Sequence, residues 1–260
     1  MRKGLAKSKN MISIRILKSI GPAYAQQWIK RFGFDADKHP AYLPMALGSG
    51  AVTPLQMASA YSVFANGGYR VNPLLISRIT DSKGHVINEA RVPTLDESAR
   101  TIESRNAFVM TSLLQEVTHS GTAAKAGATL KRPDIYGKTG TTNDSHDAWF
   151  AGWQKNIVAV VWMGYDDPRK LGDRETGGGL ALPVWIDYMT AAPCSLQSRF
   201  RSEMICAWIE TSSAVVGSSA TISLGSPASA RAITTRCRMP PENWCGYWSR
   251  RSSAAGMPVS

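Results

Sequence analysis

Apolar residues recur at helical spacing through much of the first half of the chain. The pattern predicts amphipathic helices over four segments, which are Met11–Ile20, Ala23–Phe32, Leu55–Ala65 and Ser104–Val117. Thr53 followed by Pro54 is typical of a helix start, because threonine accepts a hydrogen bond from a free backbone N–H group and proline lacks that group. Ser8 or Asn10 is expected to cap the first helix in the same way.

The second half of the chain contains three adjacent segments with the residue pattern of β-strands. Ile135–Thr142 is β-prone, and the aromatic and β-branched runs Ala148–Gln154 and Ile157–Met163 follow it. Lys155-Asn156 between the last two runs predicts a tight hairpin. The third run has no polar alternation, which is typical of a central strand that is covered on both faces.

Weaker signals lie on either side of these three strands. Short strands are predicted at Tyr69–Val71 and Leu74–Thr80, and a loop is predicted between Ala123 and the first of the three strands. Gly177–Gly179 predicts a flexible loop, and an apolar helix is expected to follow over Leu182–Met189.

Composition places the chain among globular proteins, since 43% of its 260 residues are hydrophobic and 19% are charged. The net charge of +11 makes nucleic acid a candidate partner. The basic residues are nevertheless scattered, apart from a small cluster near the N-terminus, so a solvated surface is the favoured interpretation. The four cysteines all lie beyond residue 193 and match no zinc or redox spacing, so neither a metal nor a cofactor is predicted.

The composition changes abruptly after residue 192. Residues 194–260 contain no lysine and no aspartate, but they hold seven arginines, all four cysteines and many serines, and their apolar periodicity is lost. The chain is therefore interpreted as a partial domain over residues 1–192 and a Ser/Arg-rich tail over residues 193–260. The tail is expected to be disordered, or to result from a shift of reading frame near Pro193.

The segment Lys138-Thr139-Gly140-Thr141 is unusual for the interior of a strand, because glycine there loses entropy and contributes no packing. One interpretation is a sheet edge that receives an extended ligand, with Gly140 allowing close approach. The other is a bulged edge strand whose lysine discourages aggregation. The tetrapeptide alone leaves both interpretations open.

Several separated motifs become informative when they are taken together. They are Ser8-Lys9-Asn10, Leu47–Ala58, Tyr61–Gly68, Lys138–Thr141 and Asp147–Gly152. In this order they resemble the transpeptidase domain of class A high-molecular-weight penicillin-binding proteins, from about residue 6 to residue 192. The resemblance implies an α+β fold, with a mostly antiparallel sheet flanked by helices and incomplete at its N-terminus.

The resemblance also implies peptidoglycan D,D-transpeptidation. In that reaction a serine attacks the D-Ala–D-Ala bond of a stem peptide, the acyl group passes to an amine on a neighbouring stem, and β-lactams trap the same serine. Carried over by motif, Ser8 relays a proton to the leaving amine and Asn10 holds the substrate amide. Lys138 supplies the positive charge that orients the carboxylate and supports proton transfer.

The rest of the implied site lies on the Lys-Thr-Gly segment. Thr139 and Thr141 are expected to bind the terminal carboxylate, and the backbone N–H of Thr141 is expected to complete an oxyanion hole. Gly140 would let the substrate backbone lie against the strand. By the same resemblance the partners are peptidoglycan stem peptides and β-lactams, with no nucleic acid, and contact with a membrane only through an anchor that precedes this sequence.

One motif of the family does not occur in these 260 residues, namely the nucleophile motif Ser-x-x-Lys. A near match, Thr122-Ala123-Ala124-Lys125, follows the second motif instead of preceding it. The expectation is a truncated fragment that binds and orients substrate but forms no acyl-enzyme by itself. Full-length members are expected at the periplasmic face of the inner membrane, whereas this sequence, without a signal or membrane segment, would stay in the cytoplasm.

Two other functions fit part of the same pattern. A β-lactamase-type hydrolase shares the motifs but transfers the acyl group to water, and the context of residues 47–68 argues against it. A basic nucleic-acid-binding protein is suggested by the net charge and the arginine-rich tail.

Overall fold

The computed structural model describes residues 1–90, 96–154 and 157–191, together with the backbone of three further strands. Within these ranges there are seven α-helices: α1 (Arg2–Ala6), α2 (Asn10–Ile20), α3 (Pro22–Trp28), α4 (Pro54–Ala65), α5 (Ser104–His119), α6 (Ala124–Leu130) and α7 (Leu182–Ala191). The strands are β1 (Ile76–Thr80), β2 (Val86–Glu89), β3 (Ile135–Thr141), β4 (Ala148–Gln154), β5 (Ile157–Met163), β6 (Glu203–Glu210), β7 (Ser213–Val216) and β8 (Ala220–Ser223).

The main sheet has the strand order β3-β4-β5-β6-β7, so β3 lies at one edge. The pairs β3–β4, β4–β5 and β6–β7 are antiparallel, and β5–β6 is parallel. A smaller sheet has the order β2-β1-β8. Helices and a mostly antiparallel sheet confirm the predicted α+β class. The interpretation of residues 193–260 as a disordered or frameshifted tail falls largely outside the described residues and stays a prediction.

Strand β5 is covered on both faces, as its continuous apolar pattern predicts. Its odd-numbered residues join a core cluster that includes Trp185 of α7, which is fully buried and packs edge-on against Phe150 of β4 with ring centroids 5.0 Å apart. On the other face Val160 packs with Ala58 of α4, and Val158 packs with Leu114 of α5. Burying a large apolar side chain stabilises the fold by about 1.5–3 kcal/mol, so these two layers hold the sheet between the helices.

Strands β4 and β5 form an antiparallel pair, as the predicted hairpin requires, and Gln154 pairs with Ile157. The predicted turn residues Lys155-Asn156 themselves lie outside the described residues. Strand β3 continues the register on the other side of β4, where Gly140 is opposite Trp149.

Local signals predict the start of α4 correctly. The hydroxyl of Thr53 accepts a hydrogen bond from the backbone N–H of Gln56, and the side chain of Gln56 accepts one from the N–H of Thr53, which forms a capping box. The predicted helix over residues 23–32 is divided into α3 and a 3₁₀ turn (Ile29–Phe32). Gly33 ends that turn with a φ of 89°, a conformation that glycine adopts at little cost.

Three predictions of secondary structure are wrong. The loop expected before β3 contains α6, which forms because Ala123 and Ala126 are fully buried in the core. The loop expected at Gly177–Gly179 is a π-helical turn over Gly177–Ala181, and the hydroxyl of Thr176 accepts a hydrogen bond from the N–H of Gly179 at 3.1 Å. The strand expected at Tyr69–Val71 is reduced to one isolated bridge between Tyr69 and Arg100.

Candidate active site

Ser8 and Lys138 meet at the edge of the sheet. The ammonium group of Lys138 donates a hydrogen bond to the Ser8 hydroxyl at 2.9 Å and another to the carbonyl oxygen of Thr139 at 2.8 Å. The two residues are 130 positions apart in sequence. Folding therefore brings together two motifs that the sequence analysis connects only by resemblance.

Ser8 lies in the short connection between α1 and α2 and has a φ of 51°. This left-handed conformation costs a non-glycine residue about 1–2 kcal/mol and is maintained by its surroundings. The backbone N–H of Lys9 donates to the carbonyl oxygen of Gly4 at 2.8 Å, which closes the turn. The predicted capping role of Ser8 and Asn10 is wrong, because α2 begins at Asn10, has Lys9 at its N-cap position and has no side-chain cap. Asn10 is exposed, two residues from Ser8.

Helix α1 is held against the end of α5, and this contact places Ser8. The ammonium group of Lys7 donates to the carbonyl oxygen of Ser120 at 2.6 Å, and the N–H of Thr122 donates to the carbonyl oxygen of Ala6 at 3.0 Å. Gly121 allows this approach, because a Cβ atom there would overlap the carbonyl oxygen of Ala6. The segment before Ser8 thus has fixed contacts on both backbone and side chain.

The environment of Lys138 changes its chemistry. Desolvation by burial lowers the pKa of Lys138 to about 8, because the charged form loses favourable interactions with water. Within the described part of the chain no carboxylate forms a salt bridge with it. A lysine of this kind exchanges its proton near neutral pH and still carries positive charge for an anion.

The two threonines of the Lys-Thr-Gly segment form hydrogen bonds with residues that pack against β3. The hydroxyl of Thr139 lies 2.6 Å from that of Thr122, and the hydroxyl of Thr141 accepts a hydrogen bond from the N–H of Gly177 at 3.0 Å. A Cβ atom at Gly177 would overlap the carbonyl oxygen of Gly140, so the π-helical turn is seated directly on the strand. Side chains of neighbouring strand residues alternate between faces, so the Lys138 side chain leaves β3 on the face opposite the threonines. Its ammonium group nevertheless reaches the strand edge, at the carbonyl oxygen of Thr139.

The backbone of β3 is available along its outer edge near Thr141. The carbonyl oxygens of Ile135 and Thr139 accept hydrogen bonds from side chains outside the ladder, from the Thr118 hydroxyl and from Lys138. In an antiparallel pair, successive residues turn their backbone groups alternately toward and away from the partner strand. The N–H of Thr141 consequently points away from β4, toward the open edge.

A cavity of about 1060 Å³ lies beside this edge. Residues 138–142 of β3 and of the turn that follows it contribute to its wall, together with the start of α4 at Thr53. Its apolar wall includes the side chains of Phe32, Met45, Leu47, Tyr61, Phe64, Trp149 and Trp162. Binding pockets for drug-sized ligands are similarly apolar, with a few polar groups that orient the ligand. Across the described ranges, no group of three or more His, Cys, Asp or Glu side chains is arranged to hold a metal ion.

Some residues of the site are missed by the sequence analysis. Thr122 and Gly177 contact the two threonines of β3. Asp147 belongs to the last of the separated motifs, but the motif does not predict that it accepts a hydrogen bond from the Trp162 indole at 2.8 Å beside the cavity. The glycine run at 177–179 is visible in the sequence, but it indicates only a flexible loop. Thr122 is noted in the sequence as the start of a near match to Ser-x-x-Lys, and that pattern does not indicate a contact with Thr139.

The family model described as "Penicillin binding protein transpeptidase domain" matches residues 1–189. The chain belongs to this family. The match confirms the resemblance that the separated motifs indicate.

Individual relatives agree with this assignment. The chain is 50% identical to penicillin-binding protein 1A of Neisseria lactamica over 193 residues, which is 74% of this chain and 24% of the relative. It is 41% identical to penicillin-binding protein 1A of Pseudomonas aeruginosa, covering 73% of this chain and 28% of that protein. The chain therefore spans about a quarter of the length of these curated relatives.

Solved structures show the same fold. The crystal structure of penicillin-binding protein 1A from Haemophilus influenzae superposes with a TM-score of 0.67 at 32% identity, covering 78% of this chain and 35% of that one. Penicillin-binding protein A from M. tuberculosis, solved as an acyl-enzyme complex, has a TM-score of 0.58 at 23% identity and covers 74% of this chain and 48% of that one; it supports the fold alone. None of the helices in the described ranges combines the length and apolar character needed to cross a bilayer.

Proposed function

We propose that the open edge of β3 binds the D-Ala–D-Ala terminus of a peptidoglycan stem peptide. In this proposal the chain supplies the substrate-orienting part of a D,D-transpeptidase site. The observation that carries the proposal is the hydrogen bond between Lys138 and Ser8 at a free strand edge beside a large cavity. Membership of the transpeptidase family supports it.

Backbone pairing would hold the peptide in an extended conformation. The carbonyl oxygen of Thr139 and the N–H of Thr141 face the open edge and can pair with an added strand. The terminal carboxylate would accept hydrogen bonds from the hydroxyls of Thr139 and Thr141, with the charge of Lys138 nearby. The N–H of Thr141 would stabilise the oxyanion of the attacked carbonyl. Gly140 has no side chain, which keeps the edge free of obstruction.

Proton transfer is assigned to Ser8 and Lys138. Because the pKa of Lys138 is lowered to about 8, the ammonium group can release a proton near neutral pH. The Ser8 hydroxyl would pass a proton to the leaving amine of the terminal D-alanine and take one from Lys138, so the hydroxyl is regenerated. Asn10, exposed two residues away, would hold the substrate amide. The attacking serine is assigned to no residue of this chain.

β-Lactams are proposed as ligands of the same edge. A penicillin carries a carboxylate and an amide that resemble those of D-Ala–D-Ala, and penicillin-binding proteins of the same fold have been solved with imipenem or aztreonam. The hydrolase alternative shares the same motifs, but the relatives are penicillin-binding proteins. We expect full-length proteins of this kind to act at the periplasmic face of the inner membrane. The absence of a nucleic-acid partner stays a prediction.

Binding of a small peptide to the full chain tests this function. Calorimetric titration would compare diacetyl-L-Lys-D-Ala-D-Ala with its L-Ala-L-Ala isomer. We expect the D,D peptide to bind at least about fivefold more tightly, which corresponds to about 1 kcal/mol. Lys138→Met should remove most of that binding, whereas Lys83→Met, in the exposed turn between β1 and β2, should not. Equal affinity for the two isomers would contradict the proposal.

A further inference from the structure

We infer that Thr122 is a positioning residue for the carboxylate site, because its hydroxyl orients the hydroxyl of Thr139 toward the ligand. This inference rests on the proposed function, in which Thr139 binds the terminal carboxylate. Thr122 belongs to none of the motifs on which the family resemblance depends, and it lies on the turn between α5 and α6.

The backbone of Thr122 is held in place independently of its side chain. Its N–H donates to the carbonyl oxygen of Ala6 at 3.0 Å, and the adjacent Gly121 lets the two segments approach. The Thr122 hydroxyl therefore starts from a fixed backbone and reaches Thr139 at 2.6 Å. The same residue connects the segment that carries Ser8 with the strand that carries Thr139.

The number of protons in the pair determines which hydroxyl donates when a ligand is bound. Each hydroxyl has one proton, so only one of the two can donate across the 2.6 Å contact. A carboxylate only accepts hydrogen bonds, and Thr139 must use its single proton for the ligand. Thr122 must then donate to Thr139. A hydroxyl that accepts one hydrogen bond becomes a stronger donor in the next, so the chain Thr122–Thr139–carboxylate strengthens the contact with the anion.

The pair is also open to a ligand. Thr122 is exposed, and the nearby π-helical turn presents Gly178 to it. A Cβ atom at Gly178 would lie 3.3 Å from the carbonyl oxygen of Thr122 and 3.8 Å from the methyl group of Thr139. The absence of a side chain at Gly178 therefore leaves space beside Thr122 and Thr139.

The test compares two probes that differ in charge at one end. They are diacetyl-L-Lys-D-Ala-D-Ala and the same peptide with a C-terminal carboxamide, titrated into the full chain and its Thr122→Val, Thr122→Ser and Thr129→Val variants. Valine keeps the shape of threonine but loses the donor, and serine keeps the donor. Thr129 is an exposed threonine of α6 and serves as the matched control.

We expect Thr122→Val to raise the dissociation constant of the carboxylate peptide about tenfold, the usual effect of losing a hydrogen bond that supports a charged contact. The dissociation constant of the carboxamide should change less than about twofold. Thr122→Ser and Thr129→Val should bind both probes like the unmodified chain.

Two results would overturn the inference while leaving the proposed function intact. One is full carboxylate preference in Thr122→Val, and the other is an equal loss for both probes, which would indicate a purely structural role. If the unmodified chain binds carboxylate and carboxamide equally, the carboxylate site itself is contradicted, and the inference fails with it. Thermal unfolding of each variant identifies any that fails to fold. If Thr122→Val does not fold, Thr122→Ser decides the question, because serine keeps the donor. Loss of the carboxylate preference in Thr122→Ser would then overturn the inference.

Discussion

The ammonium group of Lys138 donates a hydrogen bond of 2.9 Å to the Ser8 hydroxyl, and both partners are held by structure outside their own motifs. Lys138 is fixed by the ladder of β3, whereas Ser8 is fixed by the contact of α1 with α5. The relation between the two groups therefore depends on packing outside the two motifs that contain them.

The lowered pKa of Lys138 predicts a pH-dependent stability. Between pH 8 and about 10.5 the unfolded chain holds the proton that the folded chain has released, so the free energy of unfolding rises with pH over that interval. The whole difference between the pKa of Lys138 in the unfolded and folded chain corresponds to about 3 kcal/mol in the free energy of unfolding. Urea denaturation at several pH values should show that Lys138→Met lacks this rise. Lys83→Met is the control that should keep it, and an identical pH profile for all three proteins would refute the assignment.

Gly177 predicts a steric requirement in the π-helical turn. A Cβ atom there would overlap the carbonyl oxygens of both Gly140 and Trp149, so Gly177→Ala must displace the turn or the strand. We expect a loss of about 1–3 kcal/mol in the free energy of unfolding, as for other overpacked sites. Gly179→Ala is a close control, because its Cβ would lie 3.4 Å from the Thr176 hydroxyl. Chemical denaturation that found equal losses for the two variants would disprove the steric explanation.

The capping box at the start of α4 predicts a smaller effect. Thr53→Ala removes the acceptor for the N–H of Gln56 and should lower the free energy of unfolding by about 1 kcal/mol. Ser49→Ala, in the preceding exposed loop, should change it by less than about 0.5 kcal/mol. Both values can be read from urea denaturation curves, and the cap has no measurable role if the two variants agree.

Trp185 predicts the largest loss of stability. It is fully buried, packs against Phe150 and donates an indole hydrogen bond to the carbonyl oxygen of Ala159 at 3.2 Å. Trp185→Ala should cost about 3–5 kcal/mol, because it leaves a cavity and removes that donor. Phe108→Ala, whose side chain on α5 is 74% exposed, should remain within about 0.5 kcal/mol of the unmodified chain in the same denaturation experiment. A loss below about 1 kcal/mol at Trp185 would mean that this core is less well packed than described.

Local patterns predict those elements whose causes are local. The start of α4 follows from Thr53 and Pro54, and the buried strand β5 follows from its uninterrupted apolar run. Helix α6 is missed, because it is short and contains Gly127, and it is stabilised by the burial of its alanines and not by propensity. The π-helical turn is missed for a related reason: glycines indicate flexibility in isolation, and only the fold brings Gly177 against β3.

The residues of the site likewise separate into those that sequence patterns indicate and those that depend on the fold. The capping rule misassigns Ser8, because Ser8 adopts a left-handed φ and its hydroxyl accepts a hydrogen bond from Lys138, which lies 130 positions away. The co-occurrence of motifs indicates that Ser8 and Lys138 belong to one site, but it does not predict that the two side chains are in contact. No pattern in one sequence identifies Thr122, since its role depends on an approach that exists only after α1, α5 and β3 have packed.

The seating of Gly177 on Gly140 has a consequence for the thermodynamics of binding. A strand at the edge of a sheet usually loses motional freedom when a ligand pairs with it, and that entropy reduces the affinity. Here the turn at Gly177–Ala181 already packs against one face of β3, so a bound peptide would reduce the motion of the strand only slightly. The outer edge of β3 is thus a rigid template, and its selectivity should come from the shape of the incoming backbone more than from adaptation of the protein.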